Sequence, residues 1–262
     1  MPAFRNGSAA PQQLMNQRFE QLLTEIEAGQ ILDVSIGLHW TLVTAQVGES
    51  IRSGLATTLT SSGHHHRDWP DVRQPGQLQT LPAAELAALC NAFSPVERSV
   101  GLAAINALLP RMPGRWIEIN AEELIAQAGA DKTVAMVGHF PFTQRLRQRV
   151  GALHVLELEP RGDDLPAARA PDIIPRADVL AITSLTLLNR TLPELLALRK
   201  KDALVLLMGP STPMSATLFQ WGIDILSGAV VTQREKVRAG LCQGAGFRQL
   251  HKMGVRLISM RG

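Results

Sequence analysis

The sequence predicts an α/β protein in two parts: a small α+β unit over residues 13–115, then a Rossmann-like three-layer unit over 116–262 with a mainly parallel sheet. Three observations predict it. Leu32, Val34, Ile36, Leu38, Trp40 and Leu42 alternate with polar or small residues, the period of a half-buried strand. Beyond Lys132 the apolar runs are continuous instead: 133–137, 153–158, 178–183, 203–208 and 223–231. Continuous apolar strands with helical segments between them indicate a parallel sheet buried on both faces. The chain has 262 residues and 45% hydrophobic content, enough for one large domain or two modest ones.

The elements follow in order. A helix is expected over 14–28, ended by Gly29. The alternating strand over 32–42 comes next, then a turn at Gly48-Glu49-Ser50 and a second alternating run from Ile51 to Leu59, as in a hairpin. Residues 61–76 read as an exposed loop with three His, two Gly and two Pro. Helices follow over 82–92 and from Ser94 to about Leu109. The second is announced by the capping box Ser94-Pro95-Val96-Glu97. Asn120-Ala121-Glu122-Glu123 caps another. Helices over 143–150, 191–200 and 213–220 fit between the later strands.

Composition narrows the function. The formal charge is +3, carried by 21 Arg against 5 Lys, with no basic block and no aromatic interleaving. Nucleic acid is therefore not an expected partner. No apolar run reaches the roughly 18–20 residues of a membrane span. The N-terminus lacks a basic segment followed by an apolar one, so no secretory leader is expected. Two cysteines make no disulfide framework, and a reduced cytoplasm is the expected location. Cys90 reads as core. Cys242, between Gly240 and Gly244, is the better reactive candidate. A homodimer is the default assembly.

In a parallel α/β sheet, ligands bind outside the carboxyl ends of the strands, so the strand ends hold the candidate site. Gly138-His139-Phe140-Pro141-Phe142 stands where a phosphate-binding turn would, but with one Gly it is no GxGxxG. Glu159, and Glu157 two residues earlier, end the second strand, where such folds hold ribose hydroxyls. Thr186 and Asn189 follow the third strand with no evident structural duty, whereas Thr191 reads as a helix cap. Gly209-Pro210-Ser211-Thr212 follows the fourth; Ser211 or Thr212 would cap the next helix or meet an anion. His64-His65-His66 offers borderline metal donors on an irregular loop, or a plain exposed His run. There is no CxxC, HExxH or GxSxG.

Taken together these motifs resemble the heavy-metal chelation family, which joins an enolase N-terminal-like domain to a Rossmann-like one. The resembling stretches are VAMVGHFPF (134–142), LELEPRGDDLP (156–166), ADVLAITSLTLLNRTLPELL (177–196) and LMGPSTPM (207–214). DVSIGLHW (33–40), GLATT (54–58) and ERSVGLAAINAL (97–108) extend it to the first half. The resemblance implies a site in the cleft between the two units. Carried over by position, Gly138, His139, Phe140, Glu159, Thr186, Asn189, Gly209, Pro210 and Ser211 would line it, with Glu97 and the Gly54–Thr58 strand facing them. Two functions fit. One is binding of a transition metal or its small chelate, with His64, His65, His66 and His139 as metal donors and Glu97 and Glu159 as further oxygen donors. The other is an enzyme holding an adenosine-containing cofactor such as S-adenosylmethionine, with its ribose on Glu159.

Overall fold

The protein is described from a computed structural model covering residues 9–60 and 70–262. A first helix, α1 (Ala9–Leu23), leads into three antiparallel strands, β1 (Gln30–Ile36), β2 (Trp40–Val47) and β3 (Ser50–Thr57). The helices α2 (Ala83–Ala88) and α3 (Pro95–Leu108) follow, then α4 (Ala121–Gly129). The second half runs β4 (Thr133–Val137), α5 (Thr143–Arg147), β5 (Ala152–Glu157), β6 (Leu165–Pro166), α6 (Ala170–Ile173) and β7 (Val179–Thr183). It continues with α7 (Leu185–Leu188), α8 (Leu192–Ala197), β8 (Leu204–Met208), α9 (Thr217–Gln220) and β9 (Ile225–Val231). It closes with α10 (Arg234–Cys242), α11 (Phe247–Lys252) and β10 (Val255–Arg261). The architecture is thus mixed α/β, a small antiparallel sheet beside a larger, mostly parallel one of seven strands.

The larger sheet has the order β10-β9-β8-β7-β4-β5-β6, and only β10 pairs antiparallel. Its central strands explain their continuous apolar runs. Val134 and Met136, Val179 and Ala181, and Leu206 point into one core with Leu124, Ile125 and Leu146 of α4 and α5. Ala135, Leu180, Ile182, Val205 and Leu207 point into another, shared with α1, α3 and α8. Both faces are covered, so neither can be polar.

Helix α3 packs on β2 and β3 and against α2 and α7, and is buried nearly all round, with its buried polar residues Glu97 and Ser99 both hydrogen-bonded. Ser94 caps it by accepting from the Glu97 N–H. The reciprocal half of the expected capping box is absent: the Glu97 carboxylate accepts instead from the backbone N–H and Nε of Arg73, at 3.0 and 3.1 Å. The far face of the small sheet packs Leu42 and Leu55 on Val237 and Leu241 of α10.

Several expectations are corrected. The first helix ends at Leu23, well before Gly29. The expected strand over 32–42 is two strands, because Gly37 turns the chain and its N–H donates to the Trp40 carbonyl at 2.9 Å. A register shift between Ile31 and Asp33 breaks the alternation: Ile31 and Val34, paired with Ala45 and Val43, face the core shared with α1 and α3, Ser35 lies opposite Leu42 on the other face, and Leu32, Ile36 and Leu38 are exposed. The hairpin turn at Gly48-Glu49 forms as read, with Gly48 at φ +56°. Neither Ser211 nor Thr212 caps a helix, since α9 starts at Thr217, whose N–H donates to Ser215 Oγ. Thr191 makes no side-chain cap either. The short β6, α10, α11 and the edge strand β10 were not anticipated. His64, His65 and His66, with most of the expected 61–76 loop, lie outside the described residues.

Candidate functional site

β4 is the first strand of the large sheet, and the chain leaves it in both directions: β5 pairs on one side and β7 on the other. The loops after β4 and β7 therefore diverge and leave a crevice at the carboxyl ends, the place such sheets hold ligands. A pocket of about 220 Å³ sits there. Gly138, His139 and Phe140 form one wall, Leu156 and Glu157 the end, and Thr183, Thr186 and Asn189 the other wall. Gly138 has φ +104°, and a Cβ on it would come within 3.1 Å of Thr183 Cβ, so the turn into the crevice requires glycine.

His139 is held at three points. Its N–H donates to Glu157 Oε1 at 2.6 Å. Its Nδ1 lies 2.9 Å from Asp164 Oδ2 and 3.1 Å from Oδ1. The Asp164 side chain is 1% exposed and also accepts from the Arg161 N–H, whereas the His139 side chain is 34% exposed. A carboxylate on Nδ1 orients the ring and leaves Nε2 as the nitrogen open to a ligand or metal. Asp164 was missed from sequence. It stands in the acidic run 157–164 with three other carboxylates, and only burial distinguishes it.

Thr186 and Asn189 both line the crevice, but each has the structural duty the sequence did not reveal. Thr186 Oγ1 donates to the Thr183 carbonyl at 2.7 Å. Asn189 Oδ1 accepts from the N–H and Oγ1 of Thr191, at 3.1 and 2.7 Å. The outer wall is tied to the first half of the chain. Arg98 Nε donates to the Leu188 carbonyl at 2.8 Å, and Arg190 Nη2 to the carbonyls of Asn91 and Ala92. Burial, with the neighbouring Arg190 adding repulsion, brings the Arg98 guanidinium down to about 10.

The remaining candidates disperse. Glu159 is exposed and outside the crevice, whose strand-end carboxylate is Glu157. Glu97 is 3% exposed and faces a separate groove with Arg73, Leu78 and Leu89. Gly209 and Pro210 line a second groove on the opposite side of Phe140. Ser211 is fully buried and joins the two halves, its Oγ accepting from the Thr57 N–H at 2.8 Å while Asn106 Nδ2 donates to its carbonyl at 3.1 Å. The Gly54–Thr58 strand thus meets the 209–212 loop in direct contact. Ser211→Ala leaves the half-buried Thr57 N–H without its acceptor, and denaturant unfolding should show a loss of about 1 kcal/mol. Cys90 is core, and burial pushes its thiol up. Among the described residues, no group of three or more His, Cys, Asp or Glu could hold a metal ion.

The protein has a mixed α/β fold, with a mostly parallel sheet and an oriented imidazole where the strand order reverses. Two family profiles, DUF364 over residues 120–260 and DUF4213 over 19–109, match it; both are described as "Putative heavy-metal chelation". The chain belongs to this family. An uncharacterized protein of Methanocaldococcus jannaschii is 27% identical over 232 residues, 85% of this chain and 87% of its own. Crystal structures of two DUF364 proteins of unknown function share the fold. The Desulfitobacterium hafniense protein has TM-score 0.79 and 24% identity, and that from Pyrococcus horikoshii 0.81 and 22%. Each covers 95% of this chain and is covered over its full length. No described helix is long and apolar enough to cross a membrane.

Proposed function

We propose that this protein binds a small transition-metal chelate in the crevice between β4 and β7, with His139 Nε2 as the one protein donor to the metal. The observation that carries this reading is the His139–Asp164 pair at the mouth of the pocket. A buried carboxylate fixes the ring, and no hydrogen bond within the described chain engages Nε2. A bare ion caged by protein does not fit, since the described residues contain no three-donor cluster. A metal already wrapped by a chelator needs only a remaining donor, and imidazole suits Zn, Ni and Cu. Thr183 and Asn189 then face the polar edge of the chelator, and Leu156 and Leu195 its apolar part. The division into units 13–115 and 116–262 belongs to the same reading, because the first unit steadies the crevice wall through Arg98. Glu159 offers no support to a ribose in this pocket.

The test uses Cu(II)–iminodiacetate, a chelate with positions open to imidazole, added to a chain whose His64, His65 and His66 are replaced by Ala. The expected result is one bound copper per chain with a single imidazole nitrogen in its electron paramagnetic resonance spectrum. Loss of binding with the triplet alone would assign the metal to that loop and overturn the crevice reading.

A further inference from the structure

The second groove carries an inference of its own, independent of the chelate reading. It lies across the Gly138–Phe142 loop from the crevice, has a volume of about 290 Å³, and is walled by aromatic rings. Phe140 and Phe142 stack with centroids 5.4 Å apart on one side. Phe247 forms the other, its ring backed by Trp40 at 5.5 Å and by His251 at 6.2 Å. Those neighbours hold it before any ligand arrives.

The floor is made of small residues of the sheet, Ser227, Gly228 and Ser259. Its hydroxyls have no hydrogen left to donate: Ser259 Oγ donates to the Ile119 carbonyl at 2.7 Å, so the 2.7 Å contact with Ser227 is donated by Ser227. Such a floor suits the electropositive edge of a flat aromatic ring better than a carboxylate, which needs donors. At the rim the two arginines differ. Arg145 is bound to Glu122 through Nε and Nη2, at 3.1 and 2.7 Å. Arg248 is exposed, lines the groove and has no ion pair or hydrogen bond among the described residues. The volume is at the small end of ligand pockets, about 300–1,000 Å³, which limits the ring system to one or two rings.

We propose that this groove is a binding site for a planar aromatic carboxylate of one or two rings. The ring slides between the Phe140–Phe142 wall and Phe247, and the carboxylate meets the planar guanidinium of Arg248.

The test titrates the full-length chain with 2-naphthoate, followed by saturation-transfer NMR and calorimetry. One saturable site per chain is expected. Arg248→Glu and Phe247→Ala should each weaken it by about tenfold or more, the first by reversing the rim charge and the second by removing one wall. Arg248 is exposed, so its variant stays informative if Phe247→Ala fails to fold. The uncharged 2-methoxynaphthalene should bind more weakly and be indifferent to Arg248→Glu. Neither variant should change the affinity for Cu(II)–iminodiacetate. Non-saturable binding, indifference of 2-naphthoate to both substitutions, or displacement of the copper chelate by 2-naphthoate would overturn the assignment.

Discussion

His139→Ala should lower the affinity for Cu(II)–iminodiacetate by about a hundredfold, or about 2.8 kcal/mol, because it deletes the one protein donor proposed for the metal. Calorimetric titration in the chain lacking the His64–His66 triplet measures this without a competing His run. The fold should survive, since the ring is a third exposed and its main structural tie, the N–H to Glu157, is made by backbone. Asp164→Asn separates donor from positioner. The amide still offers an oxygen to Nδ1–H but removes the charge that raises the basicity of Nε2. Partners of this kind are worth about 10–100-fold in metal affinity, and the lower end is expected here. The copper spectrum distinguishes the two: Asp164→Asn should keep one nitrogen ligand, while His139→Ala shows none. Unchanged affinity in both variants would remove His139 from the metal's surroundings.

Gly54→Ala is expected to be strongly destabilising. A Cβ at this position would lie 2.2 Å from the Ala103 carbonyl oxygen, 2.3 Å from the Ala107 nitrogen and 2.6 Å from the Asn106 carbonyl carbon. All three atoms are backbone of α3, so no side chain can rotate away. The helix cannot retreat, because its other faces are packed against α2, the turn at 89–91 and α7. Overpacking of this kind costs about 3 kcal/mol or more. A chain of this size should then melt about 6–12 °C lower. The strand that would move also holds Thr57 against Ser211, so amide exchange at Thr57 should quicken with the loss of stability. A change below about 1 kcal/mol would mean that α3 and β3 separate more freely than their packing indicates.

The resemblance in GLATT drew attention to Gly54, but nothing in the residues said that a helix backbone runs against it. The same division applies across the molecule. Runs such as 133–137 and 203–208 were legible as buried parallel strands because burial on both faces leaves its mark residue by residue. Ser94 and Asn120 were legible as caps, and Gly48-Glu49 as a hairpin turn, because a helix start or a tight turn is satisfied within four residues. The faces of β1 were misread because one bulge residue shifts the phase of every side chain after it, and a bulge carries no composition of its own.

At the candidate site, Gly138 and His139 were legible because the end of β4, which has neighbours on both sides, opens onto the crevice they line. Their partners were not. Glu97 and Glu159 looked as able to join them as Asp164 does. Glu97 turned toward Arg73, Glu159 was left at the surface, and Asp164 was folded back under the His139 ring. Local periodicity, turn chemistry and capping are short-range properties, and the chain states them outright. The meeting of one imidazole with one carboxylate 25 residues away depends on strand order and on the packing that buries one acid among several, which no stretch of the chain specifies alone.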